Sequence, residues 1–232
     1  MAVKKSRHVE HQAREIQLFS YDIVNAPLQE IRRHWPAAIR ADIDQLREQI
    51  ESAPRVALPR LEELIARYPK VEILYNFRVA ALQMLDRSAE AEAAAEAIYL
   101  RFPDYLFARI DWAQICLAKS EHEKVRQIFK DTWDLKLMYP HRTRFHTSEF
   151  MGFSCVAGSY FAMTGDTAAA RRYLAMMQQI DPDHAATKRV EGLLNHSWIF
   201  SGIQRLLGLP RRQRRAKPVA TSRETPRPPQ RR

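Results

Sequence analysis

Arg142, Arg144, His146 and Glu149 fall within eight residues of one another. A carboxylate, an imidazole and two guanidinium groups so close in sequence could form a polar, catalytic site. Thr147 and Ser148 lie among them, and hydroxyl residues at a helix start cap its free amides, a structural role that accounts for much of the cluster. Elsewhere the eight histidines are scattered from His8 to His196, with His8 and His11 forming a weak pair near the N-terminus. The sequence shows no glycine-rich phosphate loop, zinc-type cysteine pair or nucleophile elbow. Neither an enzyme nor a bound cofactor or metal is therefore expected.

Cys116 and Cys155 each stand in an apolar helical context, which points to reduced core thiols and away from a disulfide framework. The basic run Arg211, Arg212, Arg214, Arg215 and Lys217 admits three readings. It could neutralise nucleic-acid phosphates. Together with Trp198, Ile199, Phe200, Ile203 and Leu206 it could bind an anionic membrane surface. Or it could be a solvated tail, with Trp198 to Leu209 packed over the last helices. Pro226 to Arg231 also fits a short proline-rich ligand, a pattern common by chance in such tails.

Those residues need elements to position them, and the composition says which kind. The chain has 232 residues, 46% of them hydrophobic, and only six glycines; with abundant Ala, Leu, Glu, Gln and Arg this predicts an all-α protein. The formal charge of +10 is uneven. Residues 205–232 hold ten basic side chains and one acidic, leaving 27 basic and 26 acidic before them. The body is nearly neutral, so the basic balance describes a tail. The opening MAVKKSRHVEH has no apolar run, and no stretch approaches the roughly 20 apolar residues of a membrane span. A reducing, cytoplasmic setting is the resulting expectation.

Phe153 to His184 is the most legible stretch. Gly165 follows the apolar run Val156, Tyr160, Phe161 and Met163, where a helix ends on a left-handed residue that glycine adopts without steric cost. Asp166 can cap a second helix carrying Ala169, Ala170, Tyr173, Leu174, Met177 and Ile180, until Pro182 stops it. Ala157 and Gly158 sit where the two helices would cross. This pattern of Gly158, Phe161, Gly165, Asp166, Ala170 and Pro182 resembles the tetratricopeptide repeat.

Weaker copies precede it. A unit over 36–69 has Ile39, Ile43, Leu46 and Ile50 on its first helix, and Ala57, Leu61, Leu64 and Ile65 on a second, in which Pro59 marks a late start or a kink. The next, 71–103, carries Leu74, Tyr75, Phe77, Val79, Ala81 and Leu82, with a corner at Asp86 to Ser88 and Arg78 where the family has an apolar or small residue. A third, 104–140, uses Trp112, Ala113 and Cys116, a Ser120-Glu121 corner, and a second helix running through Val125, Ile128, Phe129 and Trp133 toward Tyr139. The fourth is 141–182. The closing prolines Pro69, Pro103, Pro140 and Pro182 are spaced by 34, 37 and 42 residues, so the largest excess falls near His141 to Ser148. Residues 1–35 read as a helical lead-in, with Glu10 to about Val24 amphipathic. A cap helix is expected over 184–196, a short apolar segment over 197–209 and a disordered basic tail over 210–232.

The resemblance implies a right-handed superhelical solenoid of antiparallel hairpins whose first helices line a groove for a partner peptide. Its groove candidates are Tyr75, Val79, Phe107, Ile110, Asp111, Gln114, Cys155 and Ser159. The chaperone-tail branch of the family uses inner-helix lysines and asparagines, and here only Lys119 and Asn76 are present, so apolar anchoring is expected instead. The function expected is a protein-protein adaptor or scaffold; nucleic-acid or anionic-membrane binding through the tail is the alternative.

Overall fold

The computed structural model describes residues 21–26, 32 and 34–206, with the backbone alone from 196 onward. Among the described residues the protein is helical apart from two three-residue strands. The chain divides into two compact units, 1–197 and 198–232. The basic tail and the amphipathic stretch from Glu10 to Ser20 lie outside the described residues.

Ten helices follow in four hairpins and a closing element. They are α1 (Ala37–Ser52) with α2 (Pro54–Arg67), α3 (Glu72–Met84) with α4 (Ser88–Arg101), α5 (Leu106–Ala118) with α6 (His122–Ile128), the short α7 (Leu135–Met138), α8 (Thr147–Thr164) with α9 (Thr167–Ile180), and α10 (Ala185–Leu206). In α1 the buried side chains are Ile39, Ile43, Leu46 and Ile50, the stripe its periodicity predicts. Pro54 opens α2, where its missing N–H costs nothing. That helix then runs unbroken past Pro59, whose ring is exposed, so the carbonyl it leaves unpaired can turn to water.

The same loop recurs between hairpins. Val71 N–H donates to the Tyr68 carbonyl, Tyr105 N–H to Phe102 and Arg142 N–H to Tyr139, at 3.1, 3.0 and 3.0 Å. The corners inside two hairpins repeat as well: Arg87 N–H reaches Leu82 O at 3.0 Å, and Glu121 N–H, 34 residues on, reaches Cys116 O at 2.8 Å. These bonds span a left-handed residue, Asp86 (φ 55°) and Ser120 (φ 58°), and Gly165 (φ 92°) holds the equivalent place after α8. Asp166 caps α9 by accepting from Ala169 N–H, as expected.

Side chains then tie each loop to its neighbour. The Tyr75 hydroxyl donates to the Pro69 carbonyl at 3.1 Å, and 34 residues later Arg109 Nε donates to the Pro103 carbonyl at 2.6 Å. Arg101 also reaches back to Pro69 O, and Tyr139 to Asp104 O. The first helices α1, α3, α5 and α8 touch in that order, while α2 and α4 pack on the first helix that follows them.

Three elements depart from the sequence expectation. Helix α6 stops at Ile128, because Lys130 and Asp131 both take left-handed backbone (φ 52° and 55°) and end it. Trp133, expected within that helix, instead stacks on Tyr160 with ring centroids 4.5 Å apart. The expected helix to Val24 ends as strand β1 (Asp22–Val24), which pairs in parallel with β2 (Arg144–His146), aligning Ile23 with Phe145. The β-branched pair Ile23 and Val24 suits a strand, and the extra residues near His141 to Ser148 supply its partner. Finally, α10 runs to Leu206, past the bound of 196 expected for the cap helix, while the two units divide at 197/198, close to the start expected for the apolar segment.

The α8–α9 crossing is closer than a two-helix contact. A Cβ on Gly158 would sit 2.9 Å from Val190 Cγ1 and 3.3 Å from Tyr173 Cβ, so α10 meets the same point. Gly158→Leu should therefore cost about 1–3 kcal/mol by overpacking, read as a lower urea midpoint; an unchanged midpoint would contradict this packing. Strands β1 and β2 form a strap at the start of α8, and Phe145 of β2 is fully buried, with Tyr21 edge-on at 4.9 Å. Phe145→Ala should cost about 3–5 kcal/mol in the same measurement, and a loss below 1 kcal/mol would show that the strap is not part of the core.

Candidate functional site

A cavity of about 310 Å3 opens between α1, α3, the start of α5 and the start of α8. Its apolar lining is formed by Trp35, Ile43, Ile73, Phe77 and Phe107, and its polar lining by Arg32, Asp44, Arg47, Asn76, Tyr105, His146, Ser148 and Glu149. Helix α1 contributes Asp44 and Arg47, one turn apart, and Arg32 donates to Asp44 at 2.7 Å. Arg47 is exposed and has no ion-pair partner among the described residues.

Asn76, on the cavity lining, joins α3 to α5 by a polar bond. Asn76 Nδ2 donates to Asp111 Oδ2 at 2.6 Å. Burial pushes the Asp111 carboxyl up to about 7, against the opposing effect of the Asn76 hydrogen bond. The Tyr105 phenol, on the cavity wall, is raised well above its ordinary value by burial first and then by the negative charges of Asp111, Glu149 and Glu72, with Arg47 opposing.

The cluster at Arg142 to Glu149 resolves into structural roles. Glu149, almost wholly buried, accepts from Arg142 at 2.7 and 3.0 Å and from the His146 N–H at 2.9 Å, one half of a capping box. His146 Nε2 lies 3.0 Å from the Asn25 carbonyl, an acceptor, so this nitrogen carries the proton. Nδ1 is then the acceptor for Ser148 N–H at 3.2 Å and for the Ser148 hydroxyl at 2.7 Å. Arg142 lies over the Phe145 ring at 4.1 Å. These side chains latch β1 to the start of α8, and Arg144 points to solvent. The imidazole and the buried carboxylate both have their bonding capacity engaged in that latch.

The groove candidates separate into two sets. Phe107 lines the cavity and Asp111 stands behind it, and Gln114 is half-buried further along α5. Ile110, Cys155 and Ser159 are buried instead, because α5 and α8 approach closely: a Cβ on Gly152 would lie 3.2 Å from Ile110 Cδ1. Burial also raises the Cys155 thiol, and takes that of Cys116 up to about 11; both cysteines are unpaired. Tyr75 and Val79 are one residue out of register. Counting back seven residues from the left-handed corners gives Val79, Ala113 and Gly158, the helix-crossing position, and Val79 is buried accordingly. Tyr75 packs edge-on against Phe102 with Arg101 over its ring, so Asn76 takes the place assigned to it.

Sequence reasoning missed Trp35, Asp44, Arg47 and Tyr105. Asn76 and Asp111 carried a usable signal, two polar residues on first helices, 35 residues apart and close to the first proline interval. Trp35 and Arg47 carried none, since each reads as an ordinary lead-in or surface residue.

Among the described residues, no group of three His, Cys, Asp or Glu side chains is placed to hold a metal ion. No described helix is long and apolar enough to cross a membrane. Compared with known protein families, curated proteins and solved structures, the chain matches none.

The Asp111 environment predicts a pH dependence. In the unfolded chain its carboxyl ionises near 4; folded, it holds its proton up to about 7. The folded state therefore binds the extra proton between those values, so this group's contribution falls as pH rises from about 4 to 7, by at most roughly 1.4 kcal/mol per pH unit, and is level above. Asp111→Asn keeps an acceptor for Asn76 and removes the charge. Urea midpoints at pH 5 and pH 8 should differ less for the variant than for the parent, with the variant more stable at pH 8; equal differences would contradict this.

Proposed function

We propose that the chain is a tetratricopeptide-like solenoid that serves as a protein-protein adaptor, docking a segment of a partner in the opening lined by its first helices. The observation that carries this reading is the recurrence of one hydrogen-bonded unit. The corner bond from Arg87 to Leu82 and the loop-anchoring bond from Tyr75 to Pro69 both reappear 34 residues later, at Glu121 to Cys116 and at Arg109 to Pro103. A period of 34 belongs to helix-turn-helix repeats, in which each hairpin buries its faces against its neighbours and an open inner surface remains.

Two further observations favour binding over catalysis. The cavity has Trp35, Ile43, Ile73, Phe77 and Phe107 among its lining, an apolar surface that suits a docked side chain. The polar cluster at the start of α8 is spent on capping and on holding the strap.

Affinity capture with the full chain, with Phe107→Ser, and with a chain truncated after Leu209 tests the reading. A partner protein should be retained by the parent and the truncated chain and be lost from Phe107→Ser, whose melting temperature should stay within about 3 °C. Loss on truncation combined with retention by Phe107→Ser, sensitive to raised salt, would overturn the proposal in favour of the tail.

A further inference from the structure

The cavity has a chemistry of its own beyond being open. An apolar cavity of roughly 150 Å3 holds a benzene ring, so about 310 Å3 has room for one bulky side chain and the chain that carries it. Trp35, Phe77 and Phe107 supply aromatic surface on three sides, from the entry to α1, from α3 and from α5.

The charges around it are unequal once pairs are set aside. Arg32 is engaged by Asp44 and Glu149 by Arg142. Of the Arg, Asp and Glu side chains that line the cavity, what remains is Arg47, exposed and without an ion-pair partner among the described residues. A cationic segment arriving here would meet that guanidinium while both carboxylates were already satisfied. An anionic segment would find a free fork of donors next to an apolar recess. The chain's own N-terminal arm is a poor occupant on the same ground, since Met1 to His11 carries Lys4, Lys5 and Arg7 against the single acid Glu10.

We propose that the cavity takes a bulky apolar side chain from a partner segment flanked by acidic residues, with the side chain seated among Trp35, Phe77 and Phe107 and a flanking carboxylate on Arg47. This rests on the docking role proposed above and specifies its ligand. The aromatic walls supply the binding free energy, and Arg47 selects the sign of the neighbours and speeds encounter.

The test is a fluorescence anisotropy titration of the full chain with three labelled hexapeptides: Asp-Asp-Leu-Phe-Asp-Asp, Lys-Lys-Leu-Phe-Lys-Lys and Asp-Asp-Ser-Ser-Asp-Asp. The first should bind about tenfold or more tighter than either of the others. Arg47→Glu, a change at an exposed position, should reverse the preference between acidic and basic flanks, and Phe107→Ser should remove binding of the first peptide. Thermal melts of both variants establish that they are folded; if Phe107→Ser is not, Phe107→Leu should still weaken binding several-fold. Equal or tighter binding of the lysine-flanked peptide, lost in Phe107→Ser, would overturn the acidic preference while leaving the docking role standing. An acidic preference that Arg47→Glu does not change would overturn the role given to Arg47. Binding of no peptide, or binding indifferent to Phe107, would count against the ligand and the docking role together.

Discussion

The structure depends on burying helix α8 from several sides. Eleven of its eighteen residues are buried, too many for the single stripe of a surface helix. Helix α9 covers one face, α5 and α6 another, the two strands lie at its start, and Val190 of α10 meets it at Gly158. A helix so apolar cannot stand alone in water, so its presence requires the hairpins before it and the closing helix after it. The glycine at the crossing, the left-handed Gly165 and the capping box at His146 and Glu149 all follow from placing that one helix.

The preceding hairpins meet the same constraint with poorer sequences. Their corners use Asp86 and Ser120 where α8 uses glycine, accepting the cost of left-handed backbone at a residue with a side chain. Their loops are fastened by Tyr75 and Arg109 to the prolines that end the previous helix. Because first helices touch first helices, polar residues placed there face each other, which is how Asn76 and Asp111 come to share a hydrogen bond. The cavity lies beside this polar link, lined by α1, α3, the start of α5 and the start of α8, and the extra residues before α8 carry the strand that holds β1.

Much of this was legible in the sequence because local rules and tertiary demands agree. The stripe of α1, the Gly165-Asp166 corner and the all-helical composition each reflect a residue whose local preference matches its packed role. The failures fall where they disagree. Nothing local marks Lys130 and Asp131 as left-handed, so α6 was expected to be longer. Strand β1 exists through pairing with residues more than a hundred positions away, which no periodicity over a short window can show. The one-residue slip at Tyr75 and Val79 arose because the sequence reading set Arg78 at the helix-crossing position, which Val79 occupies in the structure, the equivalent of Gly158. Cavity residues such as Arg47 are legible only once their partners are known, since what distinguishes Arg47 is that it has no ion-pair partner among the described residues.

The central claim is that a partner meets the cavity lined by the first helices, away from the second helices. Site-specific photo-crosslinking tests it most directly, with a photoreactive phenylalanine analogue at position 47, on the cavity side of α1, or at position 100, where Leu100 of α4 is 72% exposed. The account predicts a crosslinked partner from position 47 and none from position 100. A crosslink from position 100 alone would place recognition on the second helices and contradict it.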